Sequence, residues 1–295
     1  MKNMLFVMNP YAGMRRANKY LPDILSLFNR AGYRVTAHMT AGPGDGAQVV
    51  EQLASEMDVI VCCGGDGTFN ETISGVMRSG ADVPLGYIPA GSTNDFATSL
   101  HLPAKILPAA QAVLEGEPHR YDIGLFGNRY FSYVASFGIF TRSSYATPQN
   151  VKNALGHTAY ILSGIQELSQ LHTTHMRLEL EDRVIEDDFL FGAISNSTSV
   201  GGVLTLRPDL VDMADGQFEL LLIRKPQNLT ELAECIQALQ TQQYNCHMIT
   251  FLNASQIRAI SQEPVDWTLD GELAEGQLDV CIRNCHHAIS LIQKG

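Results

Sequence analysis

Three short glycine-containing turns, each preceded by an apolar segment, constrain the fold of this chain more than any other feature. The turns span residues 9–13, 64–68 and 90–95. The segment before the second turn, 58–63, is dominated by apolar side chains, which is typical of a strand buried on both faces. Segments with helical spacing lie between these strands. Strands that alternate with helices predict an α/β fold with a mostly parallel sheet.

The pattern changes near residue 118. Strand-like segments then follow one another closely, which favours a β-sandwich or a large antiparallel sheet. A hairpin is predicted at Phe126–Arg129, and a long helix over Val151–Leu171 interrupts the strands. We therefore predict two domains, an α/β domain over 1–118 and a mainly antiparallel β-sandwich over 119–285. The last residues, about 286–295, can pack back on the first domain.

Composition and charge exclude several classes of protein. The chain carries 20 Lys and Arg against 31 Asp and Glu, a formal net charge of −11. This balance argues against a nucleic-acid partner, because nucleic-acid-binding surfaces are basic. No apolar run approaches the roughly 18–20 residues of a membrane-spanning helix, and the chain reaches Asn9-Pro10 too early for a signal peptide. A soluble cytoplasmic protein with reduced cysteines is expected.

The three turns are candidates for binding phosphate. Ligands of open α/β sheets bind at the carboxyl ends of the strands, where these turns are expected. Glycine lets backbone N–H groups approach an anion, and a following helix adds partial positive charge. A Walker A loop is excluded because no Gly-Lys-Ser/Thr follows, and the dinucleotide fingerprint is missing. Any one turn alone is also compatible with an ordinary strand-to-helix connection.

An acid within the second turn points to a cation. Asp66 would repel a phosphate group unless a cation or a bound water stands between them. Phosphoryl transfer ordinarily supplies Mg²⁺ for this purpose. Two further carboxylates stand on one predicted bend, Asp270-Gly271-Glu272, where phosphoryl transfer could use a base. Asp-Gly is also a common hairpin turn, so that alternative stays open.

In combination, the motifs resemble those of the diacylglycerol kinase catalytic superfamily, which includes bacterial lipid kinases, sphingosine kinases and ceramide kinases. The second turn, with Asn70-Glu71 after it, resembles the nucleotide-binding motif, and Asn9-Pro10-x-Ala12-Gly13 and Pro89–Ala97 resemble its two companions. The resemblance extends over essentially the whole chain. Ser92 replaces the threonine of many relatives and keeps the hydroxyl. The nucleotide-binding residues that the resemblance implies are Asn9, Gly13, Gly64, Gly65, Asp66, Gly67, Thr68, Asn70, Glu71, Gly91, Ser92, Thr93 and Asn94.

The resemblance also implies the remaining site residues. It implies ATP bound between the two domains, with Asp66 and Asp122 near the active-site Mg²⁺. Glu272 is implied as general base, and Asp270 as a partner that orients it or joins the metal network. A structural Mg²⁺ is implied at Asp212, Asp215 and the carbonyl of Gln217, where a capped turn without an ion is the alternative.

The expected function is an ATP- and Mg²⁺-dependent lipid kinase that phosphorylates diacylglycerol or a related lipid hydroxyl. Its partner would be a membrane lipid at the bilayer surface, reached by a cytoplasmic enzyme that is transiently peripheral to the inner membrane face. A homodimer is left open. Two alternatives remain at this point, an NAD kinase-like phosphotransferase with a soluble acceptor and a non-catalytic lipid or nucleotide sensor. The sensor is disfavoured because all four predicted catalytic acids are present.

Overall fold

The computed structural model describes residues 1–15, 17–139, 172–200 and 204–294 of the chain. They form two compact units, the first comprising Met1–Ile123 with Cys285–Gly295 and the second Gly124–Asn284. The helix predicted over Val151–Leu171 lies outside the described residues. No helix in the described ranges is both long enough and apolar enough to cross a membrane.

Strands and helices alternate along the first unit. In chain order its elements are β1 (Lys2–Met8), α1 (Leu21–Arg30), β2 (Tyr33–Met39), α2 (Asp45–Leu53), β3 (Val59–Gly64), α3 (Asp66–Ser79), β4 (Pro84–Pro89), α4 (Asp95–Ser99) and α5 (Ile106–Glu115), followed by β5 (Glu117–Phe126). Short 3₁₀ turns occupy Ala12–Arg15, Asn18–Tyr20 and Ala54–Glu56. α5 was not predicted from the sequence.

Parallel pairing brings the three turns to one edge of the first unit's sheet. β1 lies between β2 and β3, β3 pairs with β4 on its other side, and each of these pairs is parallel. The end of a later strand, β15 (Glu272–Gln293), extends this sheet beyond β4 through the parallel pairs Ser290 with Pro84 and Leu291 with Leu85. The carboxyl ends of β1, β3 and β4 therefore lie side by side, with one turn after each.

Burial explains why these segments are strands and helices. Every residue of β3 is buried, so both faces of that strand are covered. Pro22 stands in the first turn of α1, where its missing N–H costs nothing, and this helix buries Ile24 and Phe28 in the core of the first unit. Gly80, in the left-handed conformation, ends α3.

The second unit is built mainly of antiparallel strands. Its elements are β6 (Arg129–Phe131), β7 (Val134–Gly138), β8 (Thr174–Glu179), β9 (Val184–Ser195), β10 (Ser199–Val200), β11 (Leu204–Thr205), β12 (Phe218–Arg224), α6 (Leu229–Thr241), β13 (Ile249–Ala254), β14 (Gln256–Leu269) and the first part of β15. Its main sheet runs in the order β13, β12, β9, β7, β14, β15, and β8 pairs with both β9 and β14. Phe126 pairs with Arg129, which confirms the predicted hairpin.

Aromatic side chains fill the core of the second unit. Trp267, which is 1% exposed, has its ring centroid 4.8 Å from that of Phe137 and 5.1 Å from that of Phe126. Phe131 stacks on Phe218 at 5.6 Å. Such contacts bury large apolar areas and fix the strands that carry the acidic residues described next.

Candidate active site

Asn9 connects the first turn to the second. Its backbone N–H donates to the carbonyl of Cys63 at 3.0 Å, and its side-chain Nδ2 donates to Thr68 Oγ1 at 3.2 Å. Its Oδ1 accepts from the N–H of Tyr11 at 2.9 Å. A single asparagine thus shapes its own turn and fixes the threonine of the next.

Glycines allow the third turn to approach the other two. A Cβ atom added to Gly13 would lie 2.0 Å from the carbonyl oxygen of Ala90, and one added to Gly91 would lie 2.6 Å from the Cα of Gly65. The N–H of Ala90 also donates to the carbonyl of Gly64 at 2.7 Å. The backbones of the three predicted turns therefore lie against one another, and a side chain at Gly13 or Gly91 would not fit.

Asn94 shapes the third turn. It adopts a left-handed conformation with φ +54° just before α4. Its Oδ1 accepts from the N–H of Gly91 at 2.9 Å, and its Nδ2 donates to the carbonyl of Gly91 at 3.1 Å. Between these two residues, Ser92 and Thr93 are exposed. Their hydroxyl groups and backbone are thus accessible to a ligand.

Asp66 is the first residue of α3, where the helix dipole is positive. Its Oδ1 accepts from the N–H of Phe96 at 3.4 Å, so it also contacts the start of α4, directly after the third turn. Gly67 and Asn70 are half-buried in the same helix. Glu71 is placed differently, because its two carboxylate oxygens accept from backbone N–H groups at the start of α2, those of Gly44 at 2.7 Å and Gly46 at 3.0 Å.

Asp122 is fully buried, at 0% exposure, near the end of the first unit's main segment. Its Oδ1 lies 3.1 Å from Nδ1 of His286 and accepts from the N–H of His287 at 2.7 Å. The two imidazole rings stack at 3.7 Å. Sequence reasoning did not find the two histidines as partners of this acid, because 164 residues separate Asp122 from His286.

In the second unit, Asp270 and Gly271 form a two-residue hairpin turn between β14 and β15. Both have positive φ, +50° and +84°, the conformation of a type I′ turn. Both carboxylate oxygens of Asp270 are engaged. Oδ2 accepts from the N–H and hydroxyl of Ser132 at 2.5 and 2.8 Å, and Oδ1 accepts from the N–H groups of Tyr133 and Val134 at 3.0 Å.

The carboxylates of Asp270 and of Glu272, the residue after the turn, are in contrasting environments. Burial raises the pKa of Asp270, although the hydrogen bonds from residues 132–134 oppose that effect. The side chain of Glu272 is 65% exposed, and the Arg129 guanidinium lies 3.8 Å from its carboxylate. Asp270 thus holds the backbone of residues 132–134 in place, while Glu272 is accessible to a reactant. No pattern in the sequence indicates the partners of Asp270.

The predicted structural metal residues lie before β12. Asp212 Oδ1 accepts from the N–H of Ala214 at 3.0 Å, and Asp215 Oδ1 accepts from the N–H of Gln217 at 2.9 Å. Glu219 follows in β12 and is fully buried. Burial, with the nearby negative charges of Asp215 and Asp212, raises the pKa of the Glu219 carboxyl to about 8. Glu219 was not predicted as a site residue, although an acid within an apolar strand is a usable signal.

Glycine-containing turns that lie side by side at the carboxyl edge of an α/β sheet, as in the first unit, are typical of the class of proteins that bind phosphate groups. Comparison with known proteins is more specific. The diacylglycerol kinase catalytic domain matches residues 3–126, and the YegS C-terminal NAD kinase beta sandwich-like domain matches residues 134–293. The chain belongs to the diacylglycerol kinase family, and it is a lipid kinase. The resemblance and the enzyme class predicted from the sequence are both confirmed.

Relatives and solved structures agree with this assignment. A diacylglycerol kinase of Bacillus subtilis is 34% identical over 92% of this chain and 90% of its own length. One of Staphylococcus epidermidis is 32% identical over 98% and 92%. The crystal structure of a diacylglycerol kinase from Bacillus anthracis superposes with a TM-score of 0.76 at 19% identity, covering 99% of this chain and 97% of that chain. The predicted two-domain architecture, with a β-sandwich-like second domain, is thereby confirmed.

Proposed function

We propose that this protein transfers the γ-phosphoryl group of ATP to the hydroxyl of diacylglycerol or a related lipid alcohol. The observation that carries this proposal is the close approach of the three turns, in which Gly13 lies against Ala90 and Gly65 against Gly91. The acceptor is proposed from the relatives of B. subtilis and S. epidermidis, which are named diacylglycerol kinase.

The first unit would bind the nucleotide through its backbone. Strands β1, β3 and β4 end at one edge of the sheet, and α3 begins one residue after Gly65. The N-terminal N–H groups of a helix are donors without intrahelical partners and favour an anion. Thr68 Oγ1 is held by Asn9, which fixes the second turn before a phosphate group arrives.

Mg²⁺ fits the donors available in the first unit. Mg²⁺ prefers oxygen ligands, above all carboxylates and phosphates, and Asp66 and Asp122 supply carboxylates. We propose that these two acids hold it, Asp66 from the start of α3 and Asp122 from its buried position beside His286. The ion would neutralise the charge of the phosphate groups during transfer.

Glu272 is proposed as the general base. It would accept the proton of the lipid hydroxyl as the oxygen of that hydroxyl attacks the γ-phosphorus in line with the leaving β-phosphate oxygen. Its exposure gives a hydroxyl access to the carboxylate. Asp270 is proposed as the positioning residue of this turn, because its oxygens are occupied by backbone N–H groups and by Ser132.

The acceptor places the reaction at a membrane. A lipid alcohol stays in the bilayer, so we propose a cytoplasmic enzyme that binds transiently to the inner membrane face. The net charge of −11 is repelled by an anionic lipid surface. Docking would therefore require a local basic or apolar patch rather than the overall charge.

A transfer assay tests the proposed function. Purified protein is incubated with γ-labelled ATP and Mg²⁺ in separate arms containing mixed micelles of diacylglycerol, phosphatidylglycerol or a sphingoid base, and one arm with NAD. We expect label in the organic phase with diacylglycerol and none with Asp66→Ala. Label only on NAD would overturn the lipid acceptor, and label on a different lipid would replace diacylglycerol. ATP binding without transfer in any arm would favour a sensor.

A further inference from the structure

Three metal-binding side chains of different types lie together in the second unit. They belong to Glu234, Cys246 and His247, and one ligand atom of each, a carboxylate oxygen, Sγ and a ring nitrogen, lies within 4.8 Å of the other two. The ligand atoms of a tetrahedral Zn²⁺ ion are about 3.3–3.8 Å apart, because its bonds are about 2.0–2.3 Å long. Glu234 and His247 are exposed, so small rotations of their side chains would close the three donors around one ion.

The three donors come from α6 and from the loop that follows it. Glu234 lies within α6, whereas Cys246 and His247 are adjacent in the loop 242–248, before β13. The N–H of Ile249 donates to the Cys246 carbonyl at 2.9 Å, and Arg224 Nη1 donates to the His247 carbonyl at 3.1 Å. The backbone of both loop donors is therefore held in place without a metal ion, which lowers the entropy cost of binding one.

Glu231 adds negative charge beside the imidazole ring. It precedes Glu234 by three residues in α6, so both acids lie on one face of the helix, and its carboxylate is 3.8 Å from Nε2 of His247. Its oxygens already accept hydrogen bonds from the N–H of Gln227 at 2.7 Å and from Nδ2 of Asn228 at 3.1 Å. Glu231 therefore contributes charge that favours a cation rather than a ligand atom.

The types of donor determine which ion would bind. Zn²⁺ is bound by thiolate, imidazole and carboxylate groups, whereas Mg²⁺ and Ca²⁺ prefer oxygen ligands alone. Cys246 would bind as the thiolate and release its proton to solvent as the Zn–S bond forms. The charges of this thiolate and of Glu234 would then balance the two positive charges of the ion. Cys235, in the same helix, is unsuited to this role because burial raises the pKa of its thiol to about 12.

We propose that Glu234, Cys246 and His247 form a Zn²⁺ site that joins α6 to the loop before β13. Three protein donors occupy three positions of a tetrahedron, and a water molecule would occupy the fourth. The ion would stabilise the second unit by linking the loop to the helix. This site does not depend on the proposed phosphoryl transfer, for which Mg²⁺ is the expected ion.

The test is Co²⁺ and Zn²⁺ binding to the full chain without ATP or lipid. Co²⁺ adopts the tetrahedral geometry of Zn²⁺, and a thiolate ligand gives it a charge-transfer absorption band in the near ultraviolet. This band distinguishes the site, because the other group of donors close enough to hold a metal among the described residues, Asp122 with His286 and His287, contains no cysteine. Reduced protein is stripped with EDTA and titrated with CoCl₂, and ZnCl₂ then displaces the Co²⁺. Thermal unfolding is followed with and without ZnCl₂, since a ligand of the native state raises the melting temperature.

Cys246→Ser removes the thiolate, and Cys281→Ser is the matched control because Cys281 is also a half-buried free cysteine but lies in β15. We expect the Co²⁺ band in the wild type and in Cys281→Ser, and no band in Cys246→Ser. The Zn²⁺ affinity of Cys246→Ser should fall by about 100-fold or more, because even the outer partner of a ligand contributes about 10–100-fold. Glu234→Gln and His247→Gln should also weaken Zn²⁺ binding and reduce the rise in melting temperature with ZnCl₂.

Two results would overturn the proposal. The absence of the Co²⁺ band in the reduced wild type would exclude a thiolate ligand. Equal Zn²⁺ affinity in Cys246→Ser and in the wild type would place any bound ion elsewhere. The melting temperature of each variant without metal separates a loss of binding from a loss of folding. Neither result would affect the transfer assay, whose readout is the labelled lipid.

Discussion

Gly13 and Ala90 pack backbone against backbone, so closely that a Cβ atom on Gly13 would lie 2.0 Å from the Ala90 carbonyl oxygen. Gly13 also has φ +50°, in the left-handed region that favours glycine. Both the space and the conformation therefore require glycine. The contact joins turns that belong to two different strands, so it sets the relative position of the proposed phosphate-binding surfaces.

Gly13→Ala should separate the first and third turns. We expect a loss of about 1–3 kcal/mol in the free energy of unfolding and a clear rise in KM for ATP, measured by denaturant unfolding and the transfer assay. Gly32→Ala is the matched control, because Gly32 also has positive φ but no atom within 4 Å of an added Cβ. Equal KM values for both variants would contradict the role of the contact.

Glu272→Gln should lower kcat without affecting folding. A positioned base contributes about 10²–10⁴-fold, and glutamine cannot accept the proton. The melting temperature should stay unchanged, because the side chain is largely exposed. Glu275→Gln, on the same strand and also exposed, provides the control. A kcat for Glu272→Gln equal to that of this control would exclude Glu272 as the base.

Asp270→Asn should act mainly on stability. In the wild type, the N–H groups of residues 132–134 donate to the two carboxylate oxygens of Asp270. The Nδ2 group of asparagine cannot accept these hydrogen bonds, and each buried donor left without a partner costs about 1–3 kcal/mol. We expect a loss of roughly 3 kcal/mol or more in unfolding free energy, with a lower kcat in the molecules that remain folded. Ser132→Ala removes a single side-chain donor and should cost less. Unchanged stability together with lost turnover would instead assign direct chemistry to Asp270.

His175 should make part of the second unit's stability depend on pH. Its ring nitrogens lie 2.9 Å from Asp188 and 3.4 Å from Glu186, and these hydrogen bonds raise its pKa. The stabilisation is therefore complete below the ordinary value of about 6.5 and is lost as the pH rises through the raised value. His175→Gln should lower the melting temperature at pH 6 and leave it unchanged at pH 9. His172→Gln is the control, and the same effect at both pH values would contradict the prediction.

Local pattern was sufficient for much of the fold. The apolar run before Gly64 predicted a strand over 58–63, and β3 spans Val59–Gly64. The strand predicted over Val184–Ser195 has the same bounds in β9. β3 is buried throughout and β9 is buried from Phe189 to Ser195, so a continuous apolar run marks each strand in the sequence. The two-domain architecture and the enzyme class also followed from the sequence, because three motifs in order are far more specific than any one.

The parts of the fold and of the candidate site that were not predicted depend on contacts between residues distant in the sequence. The strand predicted over Val265–Leu269 is only the end of the longer β14. The strand predicted over Leu278–Arg283 is only the middle of the longer β15. Exposed polar residues interrupt the apolar pattern there, whereas the two strands pair on both sides of an irregularity between Ile260 and Val265. Likewise, nothing near Asp270 in the sequence indicates that Ser132 donates to it, since 138 residues separate them.

The last strand has a consequence for the order in which the chain acquires its structure. β15 begins at Glu272, and its residues Ser290 and Leu291 pair with β4 of the first unit. During synthesis, residues 1–123 leave the ribosome long before that partner strand exists. β4 is then an open edge with unpaired N–H and C=O groups, which is prone to pairing with other chains. A nascent chain would therefore carry this exposed edge until Ser290 and Leu291 had been translated.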